Sequence, residues 1–310
     1  MRLGSRLISQ HICPPSFTVV IASRTKHKIA NPSFLIPIHL LTMAETTALA
    51  SAVQTSDTPQ ITLYWLEQSR SQRILWLLIE LSLPYTLTVF HRDPKTHFAP
   101  PELKAIHPLG KSPVISIKPP GGGPDVVLAE SGLIAEYLTE HFGAGTTLAP
   151  QRWQEGKEGQ VGGETEAWMR YKYLLHYCEG SLMPLLIVLL IGMSIKDAPV
   201  PFFIRPITSR VASEIRTSYL DANFETTFSF LEEQIKTSPG GGKYLCGEHL
   251  TAADILISFP LIAAKVRGGL IPKEKYPLLK AYVDMLEEEE GYKKSIAKVE
   301  EVDGKFSAMI

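Results

Sequence analysis

Over residues 61–90 the sequence places a helical segment between two strand-like segments, and this order constrains the fold most. The first segment, ITLYWL, is short, apolar and aromatic, and the last, YTLTVF, alternates as a strand does. Between them, SRSQRILWLLIELSL has leucines and isoleucine at helical spacing over residues 74–81, with Ser69 or Ser71 placed to cap its N-terminus. A strand–helix–strand unit implies two parallel strands joined by a right-handed crossover.

The segment that follows predicts a hairpin and a second helix. KAIHPLGKSPVISI leads into a third strand across a proline, and the turn PPGGGPD returns the chain to VVLA as a fourth strand. SGLIAEYLTEHF is then an amphipathic helix that begins at Ser131. We therefore predict an α/β domain over residues 59–143.

Strand signals stop after a linker over residues 144–163 that is rich in glycine and charge. Helical patterns follow in ETEAWMRYKYLLHYCEGSLMPLLIVLLI, YLDANFETTFSFLEEQIK, LTAADILISFPLIAA and one or two segments between Tyr276 and Val299. Pro184 is expected to bend or break the first of these helices. We predict an all-α domain over residues 164–310.

Residues 1–58 differ from the rest of the chain. Up to Thr42 there are five Lys or Arg and no acidic residue, and Met43 then opens an Ala-, Thr- and Ser-rich stretch that cannot support a core. The basic start is compatible with an organelle transit peptide, but prolines interrupt any long amphipathic helix, and Met43 offers an alternative start. We expect a disordered, dispensable extension and a cytoplasmic protein, with mitochondrial or endoplasmic-reticulum membrane association as the alternative.

Charge and cysteine content argue against several classes of function. The formal net charge of −1 predicts no general attraction to nucleic acid or anionic lipid. Cys13, Cys178 and Cys246 form no CxxC pair and no metal-like spacing, so we expect a reducing compartment, no disulfide framework and no metal site. The longest apolar run, residues 185–191, is about one-third of the length that spans a bilayer and predicts a buried segment.

Three segments of the α/β domain carry groups for which a chemical role competes with a structural one. In EQSRSQR, hydroxyls lie at a helix start that favours negative charge, and a serine there can donate to a thiolate; otherwise Ser69 only caps the helix. In KSPVI, a proline before a strand exposes backbone that can pair with a peptide ligand, which a cis bond would suit. In AES, a carboxylate and a hydroxyl can together bind an α-amino and an α-carboxylate group; otherwise the serine is a cap beside a solvated Glu.

Taken together, four motifs resemble the glutathione transferase superfamily over about residues 60–300. They are SRSQRILWLLIELSLPYT, HPLGKSPVI, LAESGLIAEYL and LTAADI, and their order is more specific than any one of them. APPELKAIHPLGKSP with HYCEGSLMP is most similar to fungal, yeast-type transferases of the serine type and to bacterial relatives. The resemblance implies a thioredoxin-like domain that binds glutathione, an all-helical domain that binds the electrophile, and a role in detoxification.

The resemblance also implies roles at the matching positions. The residues predicted to contact glutathione, besides Ser69 at the thiolate, are Lys111, Pro113, Val114, Glu130 and Ser131. Pro113 would be the cis-proline, and the backbone of Val114 would pair with the cysteinyl part. Glu130 and Ser131 would hold the γ-glutamyl end, while Lys111 would approach the glycyl carboxylate. His107 replaces an Asn common in other classes and is given no role.

Tyr64 is the one departure from the serine-type pattern. With Trp65 it ends the first strand as in the tyrosine-type classes, but its spacing to Arg73 is shorter by about two residues. The thiolate partner is therefore predicted to be Ser69, with Tyr64, Ser71 or no dominant side chain as the alternatives. The turn has no cysteine, which makes glutaredoxin-like chemistry unexpected.

In the helical domain, the long first helix should give one face to an interface and another to the electrophile. The candidates for the electrophile pocket are Tyr173, His176, Tyr177 and Met183. An interface or core position is the alternative for each. Asp254 follows Thr251 as a capping-box variant before an apolar run and resembles a buried folding element of the family, so we expect it to be structural.

We expect transfer of the glutathione thiolate to an electrophilic carbon, or its use in reducing a peroxide. Glutathione is the co-substrate, no metal is implied, and the resemblance implies a homodimer. A non-catalytic ligand carrier or regulator with the same fold is the alternative, disfavoured because a scaffold has no reason to keep Ser69, Pro113, Glu130 and Ser131 together. A membrane-associated enzyme, resting on the apolar run, is the third possibility.

Overall fold

The first described part of the chain forms a four-stranded mixed sheet. The computed structural model describes residues 58–266 and 269–307, so the predicted extension lies outside the described residues except for Thr58. The strands are β1 (Gln60–Leu66), β2 (Tyr85–Phe90), β3 (Val114–Lys118) and β4 (Val126–Ala129), in the spatial order β2-β1-β3-β4. β1 and β2 are parallel, whereas β3 is antiparallel to β1 and β4. The predicted strand–helix–strand unit and hairpin are confirmed.

Helices accompany the sheet and then make up the rest of the described chain, as predicted. They are α1 (Ser71–Glu80), α2 (Leu103–Ile106), α3 (Ser131–Phe142), α4 (Glu166–Tyr177), α5 (Met183–Lys196), α6 (Arg205–Ile215), α7 (Asp221–Lys236), α8 (Ala252–Val266), α9 (Pro277–Glu288) and α10 (Glu290–Asp303). A thioredoxin-like α/β unit followed by an all-helical region is therefore the architecture of this chain.

Helix α1 lies between the sheet and the helical region. Every residue from Ser71 to Leu78 is buried, because α8 and α10 pack on the sides of α1 that the sheet leaves uncovered. Burial of one large apolar side chain stabilises a fold by roughly 1.5–3 kcal/mol. The buried side chains of residues 74–78 therefore attach both the sheet and the helical region to α1. Helix α10 passes close at Gly291, where an added Cβ would lie 1.9 Å from Glu80 Oε1.

Residues Glu166–Lys196 form one continuous helix, in which a π-helical turn, Cys178–Leu182, joins α4 to α5. The prediction that Pro184 bends or breaks this helix is therefore wrong as regards a break. Pro184 falls in the first turn of α5, directly after the π-helical turn, in which Met183 N–H bonds to Cys178 O. A wider turn before the proline leaves its ring room without ending the helix.

The apolar run 185–191 is only partly buried, which corrects the prediction of a buried segment. Leu185 and Leu189 are buried, whereas Ile187 and Ile191 are 41% and 52% exposed. Helix α5 packs on the core with one face only. By length and composition alone, the helix Glu166–Lys196 could cross a membrane, a criterion that core helices of soluble proteins also meet.

Candidate functional site

A cavity of about 660 Å³ opens where the loops around the sheet meet α5 and α8. Its polar wall, from those loops and the start of α1, includes Ser69, Arg70, Arg92, Lys104, Lys111 and Ser112. Its apolar wall, from the helical region, includes Met183, Leu186, Ile187, Leu190, Met193 and Phe259. A chamber with one cationic and one apolar wall suits two different reactants better than one uniform ligand.

Three serine hydroxyls form a connected cluster at the polar wall. Ser69 Oγ lies 2.5 Å from Ser71 Oγ, and Ser71 Oγ lies 2.6 Å from Ser112 Oγ. Ser112 Oγ donates to Tyr64 O at 3.0 Å. The cluster forms because the turn after β1 and the loop before β3 lie side by side, β1 and β3 being paired at Tyr64 and Val114.

Ser69 does not occupy the N-cap position of α1. That position belongs to Arg70, which makes no side-chain cap, while Ser69 Oγ accepts a hydrogen bond from Ser71 N–H at 3.2 Å. Ser69 is 7% exposed and lines the cavity. Ser71 is fully buried and lies behind it.

The predicted proline before β3 has the expected geometry, but the backbone beside the cavity is not the predicted one. The Ser112–Pro113 peptide bond is cis, as predicted. Val114 is fully buried and paired with both Tyr64 and Ala129, and it does not line the cavity. Ser112 does line it, so the residue beside the cavity is the one before the proline rather than the one after it.

Glu130 and Ser131 lie together in the chain but face different surroundings. The register pairs Ala129 with Val114, so Glu130 follows at the level of Pro113, at the same end of the sheet as the serine cluster. Glu130 is exposed and has a φ of 71°. A non-glycine residue in that region is strained, and such strain concentrates at functional sites.

The Ser131 hydroxyl is occupied within the protein. It is buried and accepts a hydrogen bond from Arg73 Nη2 at 2.9 Å. Arg73 is itself fully buried, donates to Leu256 O at 2.8 Å, and pairs with Glu179. Ser131 therefore belongs to a buried layer beneath the cavity, which joins α1, α3, the π-helical turn and α8.

Cys178 lies in the same buried layer and is not a candidate nucleophile. Its Sγ accepts from Arg73 Nη1 at 3.1 Å and donates to Leu256 O at 3.3 Å. Burial raises the pKa of Cys178 to about 11, despite the nearby Arg73 guanidinium. The thiol is therefore neutral at ordinary pH and out of reach of the cavity.

The cavity wall has a strong charge bias. Arg70, Arg92, Lys104 and Lys111 line it, and none of the described residues that line it is acidic. Arg92 is fixed by bonds from its side chain to Glu67 O and Gln68 O, and Arg70 pairs with Glu179 at 3.2 Å. Lys111 is exposed at the rim. The cations suit a ligand that carries more than one carboxylate.

Tyr64 points away from the cavity. Its hydroxyl lies 3.2 Å from Ser116 Oγ on β3, its ring lies 6.5 Å from that of Phe90, and it does not line the cavity. Only its backbone carbonyl reaches the serine cluster, through Ser112. Of the three candidate thiolate partners, Ser69, Tyr64 and Ser71, the structure brings Ser69 alone to the cavity.

The aromatic candidates on α4 lie away from the cavity as well. Tyr173 and Tyr177 stack on each other and pack against Phe230 of α7, and the His176 side chain is 77% exposed, 3.9 Å from Glu136. None of the three lines the cavity, whereas Met183, the fourth candidate, does. Tyr173, His176 and Tyr177 therefore lie on parts of α4 that do not face the cavity.

Apart from Met183, sequence reasoning did not single out the residues of the apolar wall. Leu186, Ile187, Leu190 and Met193 lie at helical spacing along α5. The signal was present in MPLLIVLLIGM, which is apolar on all sides. Such a helix is predicted as buried, since nothing in its periodicity separates a face on the core from a face on a cavity.

No group of His, Cys, Asp and Glu that could hold a metal occurs among residues 58–266 and 269–307.

Comparisons with known proteins agree on one family. The model of the glutathione S-transferase N-terminal domain matches residues 69–141, and that of the glutathione S-transferase C-terminal domain matches residues 193–290. Glutathione S-transferase 1 of Saccharomyces cerevisiae is 35% identical over 248 residues, which cover 80% of this chain and 99% of the yeast protein.

Two solved structures show the same fold. A glutathione S-transferase from Actinobacillus pleuropneumoniae is 29% identical, with a TM-score of 0.54 over 80% of this chain and 95% of that one. A glutathione transferase family member from Pseudomonas fluorescens, solved with two glutathione molecules bound, is 21% identical, with a TM-score of 0.54 over 80% of this chain and 96% of that one.

Proposed function

The chain belongs to the glutathione S-transferase family and is a glutathione transferase; we propose that it binds glutathione at the polar wall of the cavity and an apolar electrophile at the other. The observation that carries the proposal is Ser69, a buried hydroxyl at a helix start, facing a chamber with a cationic and an apolar wall. A thiol bound there lies between the group that tunes it and the reactant that it attacks.

Charge complementarity supports the placement of glutathione. The tripeptide carries two carboxylates and one ammonium group, and the polar wall presents Arg70, Arg92, Lys104 and Lys111. Lys111 would meet the glycyl carboxylate, and Glu130 the γ-glutamyl ammonium group. The backbone of Ser112, beside the cis-proline, would pair with the cysteinyl part, in the place predicted for Val114.

Ser69 would favour the thiolate form of the bound cysteinyl group. A free thiol titrates near 8.5, and lowering its pKa by about two units requires about 2.7 kcal/mol of preferential stabilisation of the thiolate. One hydrogen bond to a charged acceptor, together with the N-terminus of α1, supplies an effect of this size.

The apolar wall would hold the electrophile against that thiolate. Leu186, Ile187, Leu190 and Met193 offer contacts to a hydrocarbon or aromatic group and no charge. In the reaction the sulfur forms a bond to an electrophilic carbon, while a halide leaves or an epoxide C–O bond opens and its oxygen takes a proton. Holding both reactants in one chamber removes much of the entropic barrier.

Reduction of a hydroperoxide is the second candidate reaction. Thiolate attack on the peroxide oxygen would form a sulfenic acid on the glutathione sulfur and release an alcohol, and a second glutathione would then form the disulfide and release water. The same tuned thiolate and apolar wall serve this reaction, so the substrate decides between the two.

A homodimer is part of the proposal. Three large apolar side chains are 50–54% exposed: Leu133 on α3, and Met169 and Tyr173 on α4. Large apolar side chains gathered on adjacent helices are typical of surfaces that another molecule covers. Light scattering of the purified chain measures the oligomeric state directly.

The test of the function combines capture on immobilised glutathione with a panel of halonitroaromatic, epoxide and hydroperoxide substrates. Ser69→Ala should raise the apparent pKa of bound glutathione toward its free value and lower turnover at neutral pH by roughly tenfold or more. Glutathione affinity should change little, because the cations and Glu130 remain. Tyr64→Phe is the matched variant and should be silent; a silent Ser69→Ala with a crippled Tyr64→Phe would contradict the assignment.

Glutathione capture without activity on any member of the panel would favour the non-catalytic carrier instead. We also propose a cytoplasmic location, which a fluorescent fusion of the full chain tests; fluorescence in mitochondria or on the endoplasmic reticulum would contradict it.

A further inference from the structure

The direction of every hydrogen bond between the hydroxyls of the serine cluster follows from the bond that Ser112 makes to the backbone. A hydroxyl has one proton to donate and two lone pairs with which to accept. Ser112 Oγ bonds to Tyr64 O, and a carbonyl oxygen can only accept, so the proton of Ser112 points at that carbonyl. Ser71 must then donate to Ser112, and Ser69 must donate to Ser71.

The backbone completes this arrangement. Leu66 N–H donates to Ser71 Oγ at 3.2 Å, which gives Ser71 two accepted bonds and one donated bond. Ser69 Oγ accepts from Ser71 N–H and donates to Ser71 Oγ. Ser69 therefore has one lone pair left for the cavity, and its proton points inward.

We propose that Ser71 and Ser112 are positioning residues that hold the Ser69 proton away from the cavity and so limit how far Ser69 lowers the thiol pKa. This inference rests on the proposed role of Ser69. With the hydrogen bonds directed as in the protein without ligand, Ser69 accepts a hydrogen bond from a neutral thiol. To donate to a thiolate, Ser69 has to give up its bond to Ser71.

The cluster also cannot carry the thiol proton away. A proton passed to Ser69 would move each hydroxyl proton one step along the row, and the last step would protonate Tyr64 O. A peptide carbonyl is far too weak a base to hold a proton at ordinary pH. The thiol proton therefore leaves through the open side of the cavity.

Removal of the Ser112 hydroxyl should reverse the direction of the remaining bond. In Ser112→Ala, Ser71 is free to donate to Ser69, and Ser69 can then donate to the thiolate without losing a partner. The apparent pKa of bound glutathione should fall by roughly half a unit to one unit, the size of one neutral hydrogen bond. Ser112→Thr keeps a hydroxyl and should keep the wild-type pKa.

Two further variants keep the test decisive. Ser71→Ala breaks the row one step earlier and should also lower the thiol pKa, although it leaves Leu66 N–H without its acceptor and lowers stability. Ser116→Ala removes a buried hydroxyl from β3 that bonds to Tyr64 OH and not to the cluster, so the thiol pKa should stay unchanged. Each value comes from a thiolate absorbance titration of glutathione bound to the full chain.

The outcomes separate this inference from the proposed function. A pKa raised by Ser69→Ala and lowered by Ser112→Ala and Ser71→Ala supports both. A pKa raised by Ser69→Ala but unchanged or raised by the other two overturns the inference and leaves the function intact. A silent Ser69→Ala overturns both, and an equal shift in Ser116→Ala shows that the effect is not specific to the cluster.

Discussion

The cavity wall and the buried layer beneath it meet at the start of α1, but their polar groups differ in where their partners come from. In the buried layer, Arg73 meets a carboxylate, a thiol, a hydroxyl and a carbonyl, all from this chain. On the cavity side, Lys111 on the wall and Glu130, at the same end of the sheet but outside the cavity lining, are exposed. Buried polar groups need partners already in the free protein, whereas wall groups can wait for a ligand.

The difference means that stability and ligand binding can be separated by residue. Removal of a group from the buried layer leaves its partners unsatisfied and should lower the free energy of unfolding. Removal of a wall group should change ligand binding or the thiol pKa and leave unfolding alone. Three substitutions test this division, a fourth locates the electrophile, and Ser69 lies at the boundary between wall and buried layer.

Arg73→Ala should have the largest effect. It leaves Glu179 with Arg70 as its only cationic partner and removes the donor to Ser131, Cys178 and Leu256 O. Loss of these buried contacts together is expected to cost about 3–5 kcal/mol, and denaturant unfolding would measure it. Arg73→Lys keeps the charge but not the fork of donors, and should lose less. A stable Arg73→Ala protein that fails only to bind glutathione would place Arg73 on the wall.

Asp254→Ala, in a second buried polar cluster at the start of α8, should come next. Its carboxylate accepts four bonds, from Leu245 N–H at 3.0 Å, Thr251 N–H at 2.9 Å, Thr251 Oγ1 at 2.6 Å and Tyr282 OH at 2.7 Å. Buried donors left without acceptors cost about 1–3 kcal/mol each, partly relieved by movement, so we expect a loss of about 3 kcal/mol. Glutathione affinity should be unchanged at temperatures where the variant is folded. Equal losses of stability and affinity would contradict the division.

Most of the fold could be predicted because its signals are local. The alternation around α1, the PPGGGPD turn and the apolar stripes of α7 and α8 each lie within about 20 residues. Helix α6 was missed although Ile207, Val211 and Ile215 lie four residues apart along it, and none of its residues is buried. The prediction of a helix break at Pro184 failed because a π-helical turn precedes the proline, and sequence periodicity does not report such a turn.

At the site, too, features that depend on short motifs could be predicted, and features that depend on contacts between distant residues could not. Ser69 and the cis bond at Pro113 follow from short motifs and were predicted. The partners of Ser131 and Ser69 depend on strand register and on contacts such as that with Arg73, 58 positions away in the chain. The apolar wall depends on which face of α5 meets the cavity, and that is decided by the packing of the whole helical region.

Glu130→Ala should affect binding alone. Glu130 is exposed at the start of α3 and makes no side-chain cap, so the free energy of unfolding should stay within about 0.5 kcal/mol of wild type. Loss of one charged hydrogen bond to the ligand should weaken glutathione binding about tenfold. Glu140→Ala, on the same helix and also exposed, is the control for the change of charge. Calorimetric titration with glutathione gives both affinities, and a stability loss in Glu130→Ala would make the residue structural.

The smallest effect is expected from His176→Ala, and it decides which side of α4 and α5 the electrophile meets. The side chain is 77% exposed and lies outside the cavity, so KM for a halonitroaromatic substrate should be unchanged. Leu190→Ala is the matched variant on the wall: its shortened side chain should raise that KM severalfold, since each buried methylene contributes about 0.8 kcal/mol, while KM for glutathione stays constant. A raised KM in His176→Ala with a silent Leu190→Ala would return the electrophile to the aromatic face of α4, the position that the sequence alone had favoured.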